Sequence, residues 1–282
     1  IIVSYLEGPT ARIVSGCTNP NTKLVSWIHI EQHTKELASK SFRSYKEALD
    51  CYSKFDRTVC VSDTVKDDFE SIFDTKKSVE VLYNTNESEK IKKLSDEKVD
   101  DVNFSKDIIN IISVAKIVPS KGYDRLMKIH KKLIEENIKN HIYILGIGEE
   151  KEKYEKYLTE NNLTDTFTFL GYRDNPYKYV RKADLYVCSS RREGFSTAVT
   201  EALIVGTPVV STNCSGAYEL LGKNNEYGIV TENDEDALYE GIKKMLTTPD
   251  LLEAYAAKAK ERGKAFSTEK TVKAVEEMLE NL

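Results

Sequence analysis

The run Ala183-Asp-Leu-Tyr-Val-Cys-Ser-Ser190 is followed by Arg191-Arg-Glu193-Gly194-Phe195-Ser196-Thr197-Ala-Val-Thr-Glu201, and this stretch decides the fold. Leu185–Cys188 has the apolar, β-branched and aromatic composition of a buried strand. The residues after it have helix boundary signals: Ser196 suits the N-cap, Gly206 the C-terminal stop, and Pro208 follows. A strand that feeds a helix N-terminus presents free backbone N–H groups and the positive end of a dipole, an arrangement that favours phosphate. Glu193 and Glu201 bracket that start. A helix rises about 1.5 Å per residue, so the two carboxylates should lie well apart along its axis. A glycosidase pair must face one bond from about 5–10 Å apart, which this spacing does not suit. Two grips on different parts of one long ligand fit better. Each carboxylate taken alone also fits an ordinary role, Glu193 as an acid near a helix start and Glu201 as a solvated helical residue.

Outward from this stretch, short apolar strands alternate with helical patterns. Strands are expected at 1–5, 23–30, 57–61, 79–83, 108–115, 141–145, 167–170, 185–188, 208–211 and 228–230. Helices are expected at 34–53, 62–73, 122–137, 149–161, 197–205, 234–247 and 250–263. This alternation predicts βαβ units, parallel sheets and an α/β fold. The polar stretch 85–107, rich in Lys, Glu, Asp and Asn, reads as a linker or a mobile surface helix, with the domain boundary there. It would join a first domain, 1–84, to a second, 108–265. A last helix within 266–282 has Val272, Val275, Met278 and Leu279 on one face, which needs burial. Because the chain opens on a strand without an initiating Met, the first domain is expected to lack its beginning.

Bulk properties narrow the function. The 282 residues carry a net charge of −5, which offers no electrostatic footprint for nucleic acid. No apolar run is long enough to span a bilayer and no basic-then-apolar leader is present, so a cytoplasmic protein is expected. Cys17, Cys51, Cys60, Cys188 and Cys214 form an odd set without C-x-x-C spacing, which predicts free thiols and no metal cluster.

Three further constellations carry chemistry. Ser113-Val-Ala-Lys116-Ile-Val-Pro-Ser-Lys121-Gly122 follows a strand and opens a helix. Lys116 and Lys121 should therefore lie at the carboxyl edge of a sheet, where open α/β sheets bind ligands. Two ammonium groups there could neutralise a diphosphate without a metal, although solvated loop lysines would look the same. Leu145-Gly146-Ile-Gly148 lacks the third glycine of a dinucleotide fingerprint, since position 151 is Lys. It reads first as a tight strand–helix turn that would also allow close approach of a nucleotide. Trp27-Ile-His29 ends a strand, so His29 also stands at a ligand edge, though a His there is often structural. His130 and His141 are read as structural.

Taken together, these motifs resemble the retaining, nucleotide-sugar-dependent glycosyltransferases of family 4, which have the GT-B fold of two Rossmann-like domains. The resemblance spans nearly the whole chain. It rests on Glu193 and Glu201 in the E-x(7)-E motif, on the flanking 183–190 and 202–210, on Lys121-Gly122, on Trp27-Ile-His29 (as in bacterial polysaccharide enzymes), and on Arg57–Ser62 and Val81–Asn84. It implies a donor that is an NDP-sugar, of UDP type, carrying a hexose. It implies an acceptor hydroxyl on a glycan or lipid-linked molecule, and no metal or other cofactor. By the same resemblance Glu193 would hold donor-sugar hydroxyls, Glu201 the ribose hydroxyls, and Lys116 and Lys121 the diphosphate. The backbone of Gly194, Phe195, Ser196 and Thr197 would cap that diphosphate, with Gly148 nearby. Tyr172 and Arg173 would hold the base, and His29 would sit beside the transferred sugar, so the catalytic set is Glu193, His29 and Lys121. The last helix would return to the first domain, and closure about the linker would expel water. Transfer would proceed on the front face, with the departing phosphate taking the acceptor proton.

Two departures bear on this reading. Lys116 stands where an Arg is more usual, which exchanges a fork for a point charge. The Gly-rich loop that opens such enzymes is not in the sequence, so the chain is expected to bind donor without necessarily completing turnover. A sugar-nucleotide epimerase or hydrolase, and a non-catalytic binding module, are the alternatives. Lys35, Lys40, Arg43, Lys46 and Lys54 could favour a membrane surface, with a solvated helix face as the simpler account.

Overall fold

The computed structural model describes residues 1–75 and 77–282. The chain divides into two compact units: Ile1–Thr85 with Glu193–Phe195 and Glu269–Leu282, and Asn86–Arg192 with Ser196–Thr268.

The first unit contains β1 (Ile2–Ser4), α1 (Pro9–Val14), β2 (Leu24–Ile28), α2 (Lys35–Ala38), α3 (Tyr45–Tyr52), β3 (Arg57–Cys60), α4 (Asp63–Ile72) and β4 (Ser78–Val81). Its strands form one parallel sheet in the order β1-β2-β3-β4. β2 is buried along its whole length, Leu-Val-Ser-Trp-Ile, as a strand covered on both faces must be. Its central Ser26 hydroxyl pairs with Thr58 Oγ1 of β3 at 2.9 Å, while the buried Trp27 Nε1 finds no hydrogen-bond partner among the described residues. The unit also takes in most of the last helix, where Met278 is buried and Arg57 Nη2 donates to the Asn281 carbonyl at 3.1 Å.

The second unit runs α5 (Ser88–Ser95), β5 (Ile109–Val114), a 3-10 turn (Pro119–Lys121), α6 (Tyr123–Glu135), β6 (Asn140–Leu145), α7 (Lys151–Glu160), β7 (Phe167–Gly171), α8 (Tyr177–Lys182), β8 (Leu185–Cys188) and α9 (Thr197–Val205). It continues with β9 (Val209–Thr212), α10 (Ala217–Leu221), β10 (Ile229–Thr231), α11 (Glu235–Thr247) and α12 (Leu251–Gly263), and α13 (Thr268–Glu280) closes the chain. The parallel sheet has the order β10-β9-β8-β5-β6-β7. Ile111, Ile142, Ile144, Leu185, Val187 and Val210 form its core with Leu126, Leu133, Leu238 and Ile242 from α6 and α11. The α/β fold with two parallel sheets is therefore as the strand–helix alternation implied.

Two expectations need correction. The helix expected over 34–53 is two helices, α2 and α3. Thr34 caps the first by accepting from Leu37 N–H at 3.2 Å, and Ser44 restarts the second by accepting from Glu47 N–H at 3.2 Å. Hydroxyl side chains that compete for backbone groups favour such caps over helix interiors. Of the two readings of 85–107, the helix is the one found, and the domain boundary is what moves. The stretch carries α5, whose Ile91 is buried, and the second unit begins at Asn86 rather than at 108. Asn175 Nδ2 holds the end of that helix through the Leu94 carbonyl at 2.9 Å, and Ser88 N–H at its start donates to Thr268 Oγ1 at 2.9 Å.

His130 and His141 sit in packing roles. His130 is fully buried between Asn140 Oδ1 and Thr166 Oγ1, each 2.8 Å away. Burial pushes its imidazole down to about 4, although the Asn140 hydrogen bond opposes this. Its folded value lies below the ordinary one, so protons bind the unfolded chain first as pH falls. Stability is then full above about 6.5 and drops by up to about 3 kcal/mol toward pH 4. Replacing His130 by Gln should flatten that slope in urea titrations run at a series of pH values. In the same assay at neutral pH, Leu126→Ala, at a position with no exposure, should cost about 2–5 kcal/mol.

Candidate functional site

The order of the second sheet fixes where a ligand can bind. The chain winds outward from β5 to β6 and β7 on one side, and from β8 to β9 and β10 on the other. The loops leaving the carboxyl ends of β5 and β8 therefore part at a topological switch point, where open α/β sheets bind ligands.

Here the two loops are joined. Arg191 N–H donates to the Ser120 carbonyl at 2.7 Å, and Ser189 Oγ to the Lys121 carbonyl at 2.8 Å. Gly122 has φ 68°, and a Cβ there would stand 2.1 Å from the Ser189 carbonyl oxygen, so no other residue fits. Arg125, in the first turn of α6 and only 4% exposed, is the main fastener. Its Nε donates to Ser189 O at 2.8 Å, its Nη2 to Ser190 O at 2.7 Å and to Asn233 Oδ1 at 2.9 Å. One guanidinium thus ties together the loops after β8 and β10. Arg191 makes a fork on Asp124, both bonds at 2.7 Å, and this holds the Asp124 carboxyl below its usual range.

The expected donor-site residues follow the carboxyl ends of parallel strands and so share one edge of this unit. Lys116 and Lys121 follow β5, Gly148 follows β6, Tyr172 and Arg173 follow β7, and Ser196 and Thr197 follow β8 at the start of α9. Lys116 is exposed and its ammonium has no ion-pair or hydrogen-bond partner among the described residues. Lys121 is half-buried, and Gly148 lies against the Ile117 carbonyl, which makes packing a full account of the G-x-G pair. Ser196 is the N-cap, its Oγ accepting from Val199 N–H at 3.4 Å, and Gly206 closes the helix at φ 85°. Tyr172 is 66% exposed. Arg173 is engaged: Nη2 pairs with Asp101 at 3.1 Å, and the guanidinium lies over the Tyr179 ring.

Glu201, the fifth residue of α9, is not a solvated helical Glu. It is half-buried, and desolvation pushes its carboxyl up to about 7 against the hydrogen bond from Tyr177. The Tyr177 hydroxyl donates to Oε1 at 3.5 Å. Burial and the Glu201 charge in turn push Tyr177 up to about 12.

In the first unit, His29 directly follows β2. Its backbone N–H donates to Glu7 Oε2 at 2.9 Å, and its ring meets Tyr5 edge-on at 4.9 Å. Burial lowers its pKa, with Glu7 and the Tyr5 backbone opposing, and Nε2 is buried without a partner among the described residues. Glu193–Phe195 belongs to this unit: a Cβ on Gly194 would stand 2.1 Å from the His29 carbonyl oxygen, and Phe195 stacks on Tyr83 at 5.1 Å. Glu193 is therefore grouped with His29, and Glu201 with the lysines of the second unit. The E-x(7)-E pair is split between the units, and so is the expected backbone cap, Gly194 and Phe195 falling in one and Ser196 and Thr197 in the other.

Sequence reading missed Glu7, Arg125, Asp124, Arg191, Tyr177 and Asn233. Only Arg125 left a signal, as a cation amid Tyr123, Leu126, Met127 and Ile129 on the buried side of α6.

Residues 95–262, more than half of the chain, match the family described as Glycosyl transferases group 1. The chain belongs to that family. It is 30% identical over 260 residues to the N-acetylgalactosamine-N,N'-diacetylbacillosaminyl-diphospho-undecaprenol 4-alpha-N-acetylgalactosaminyltransferase of Campylobacter jejuni, covering 91% of this chain and 66% of the relative. An uncharacterised glycosyltransferase of Methanocaldococcus jannaschii is 28% identical over 290 residues, covering 90% of this chain and 70% of that one. Among solved structures, Anabaena HepE in complex with UDP superposes with a TM-score of 0.76 at 18% identity, over 92% of this chain and 72% of that one. Sucrose-phosphate synthase from Thermosynechococcus elongatus gives 0.75 at 18% identity, over 93% and 68%. The group 1 glycosyltransferase chain thus has the GT-B fold, a pair of Rossmann-like units with parallel sheets. No described helix is long and apolar enough to cross a membrane.

The buried fastener and the exposed fork should differ in energy. Arg125→Met strands several buried carbonyl oxygens, each costing about 1–3 kcal/mol, so a loss of at least about 3 kcal/mol is expected in urea. Arg191→Ala breaks a partly exposed ion pair and should cost about 1 kcal/mol or less. Equal losses would contradict the assignment of Arg125 as the fastener.

Proposed function

We propose that this chain is the donor-binding machinery of a retaining glycosyltransferase that moves a hexose-type sugar from a UDP-sugar to a hydroxyl of a glycan or lipid-linked acceptor. The observation that carries the reading is Glu201: a half-buried carboxylate with no cationic partner among the described residues, in the helix that starts at the switch point. Such a group costs stability unless a ligand uses it, and a ribose diol offers two hydroxyl donors. The unpaired Lys116, together with Lys121 and the α9 N-terminus, supplies positive charge for a diphosphate. These groups suit stabilisation of the leaving diphosphate without a metal. In the first unit, His29 and Glu193 are the proposed partners of sugar hydroxyls. Because Arg173 is committed to Asp101, the base contact falls to Tyr172 and neighbouring backbone. The UDP in the Anabaena HepE complex supports the choice of base, and the undecaprenol named for the Campylobacter relative supports a lipid-linked acceptor.

In calorimetry at pH 8, Glu201→Ala should weaken UDP binding about tenfold or more, the cost of two hydrogen bonds to a charged group. Added EDTA should leave the wild-type affinity unchanged. Undiminished UDP affinity in Glu201→Ala would sink the ribose role. Release of free sugar from a UDP-sugar without acceptor would favour hydrolysis or epimerisation over transfer.

A further inference from the structure

The nucleotide reading leaves Glu201 with a physical difficulty. To accept from two hydroxyls its carboxylate must be ionised and held in one orientation, yet burial works against the charge and no cation among the described residues pairs with it. Helix α9 packs against α5, α8 and α12, against β8 and β9, and against the 3-10 turn Lys264–Phe266, whose Lys264 is exposed. From α8 comes Tyr177, whose hydroxyl donates to Glu201 Oε1. From the start of α5 comes Glu87, which acts on Tyr177 and is itself paired with Lys90 at 2.6 Å. From α12 comes Lys260, which lies at the far end of α9 beside Gly206. Apart from burial, Tyr177 is the one group acting on the Glu201 carboxyl among the described residues.

We propose that Tyr177 is a positioning residue for the nucleotide: its hydroxyl fixes one oxygen of Glu201 and leaves the other for the ligand. The inference rests on the reading of Glu201 as the ribose-binding carboxylate. Tyr177 opens α8 directly after Pro176, a residue with a locked φ, so the ring is presented from a rigid helix start. A neutral hydroxyl suits this task better than a cation would. It favours the charged carboxylate without occupying both oxygens, as a guanidinium fork would.

The test is the pH dependence of UDP affinity, measured by calorimetry between pH 6 and pH 9 for wild type, Tyr177→Phe, Glu201→Gln and the double variant. The ligand's own phosphate titration is common to all four proteins and cancels in the comparison. Wild-type affinity should rise as pH passes through about 7, where Glu201 ionises. In Tyr177→Phe the midpoint should move up by about half to one pH unit, giving about 3–10-fold weaker binding at pH 6.5 and less than about 2-fold at pH 9. In the Glu201→Gln background the Tyr177→Phe change should have no pH-dependent effect. A Tyr177→Phe profile parallel to wild type, whether shifted uniformly or not at all, would overturn the positioning role. Undiminished UDP affinity in Glu201→Gln at pH 9 would instead overturn the ribose reading beneath it.

Discussion

The buried Arg125 guanidinium is the interaction on which the second unit's ligand edge depends. Parallel strands deliver their loops to a common edge, but loops are held only as well as their backbone groups are paired. Arg125 supplies donors in a rigid planar fork to Ser189, Ser190 and Asn233, and so sets the path of the chain after β8 and β10. A lysine could not do this, because it offers a point charge on a flexible stem rather than a fork. The guanidinium stays charged despite its burial, since carbonyl dipoles surround it. The start of α9 inherits its position from this arrangement, because only a few residues separate Ser190 from Ser196.

That fixed edge lets weakly paired charge persist. Lys116 remains exposed and unpartnered, while Arg173 and Arg191 are committed to Asp101 and Asp124. The cations nearest the expected site thus divide into those that build it and those left for a ligand. Glu201 follows the same logic with opposite sign. It is a carboxylate kept half-buried with one neutral hydroxyl for company, an expense that makes sense in a binding site. His29 in the first unit resembles it, with a buried Nε2 that no group among the described residues satisfies.

Much of this was legible in the chain. Each strand lies within two residues of its expected place, because parallel strands buried on both faces are written as short, continuous apolar runs. The boundaries of α9 were legible too, since Ser196 and Gly206 are local signals with local causes. The break between α2 and α3 was less visible, because Ser44 could equally have been a solvated helix residue until its oxygen met Glu47 N–H. The packing of α5 was hidden by its own composition, which suits a linker as well as a surface helix: Lys, Glu and Ser surround a single deeply buried apolar residue, Ile91, and its burial comes from partners far away in sequence.

Sequence by itself determined the α/β class, the strands of both sheets, the helix start after β8 and the candidate charges Lys116, Lys121, Glu193 and Glu201. These follow from periodicity, capping and composition, which act over a few residues. Only the tertiary structure decided which charges are spent and which are spare. Arg173 and Arg191 find their carboxylates across gaps of 72 and 67 positions, and Arg125 reaches Asn233 across 108. It also decided that Glu193 is grouped with His29 and Glu201 with Tyr177, although eight positions separate the two acids. The short motif reads as one piece because it is contiguous, yet its residues belong to both compact units, since the chain enters the first unit for only three residues there.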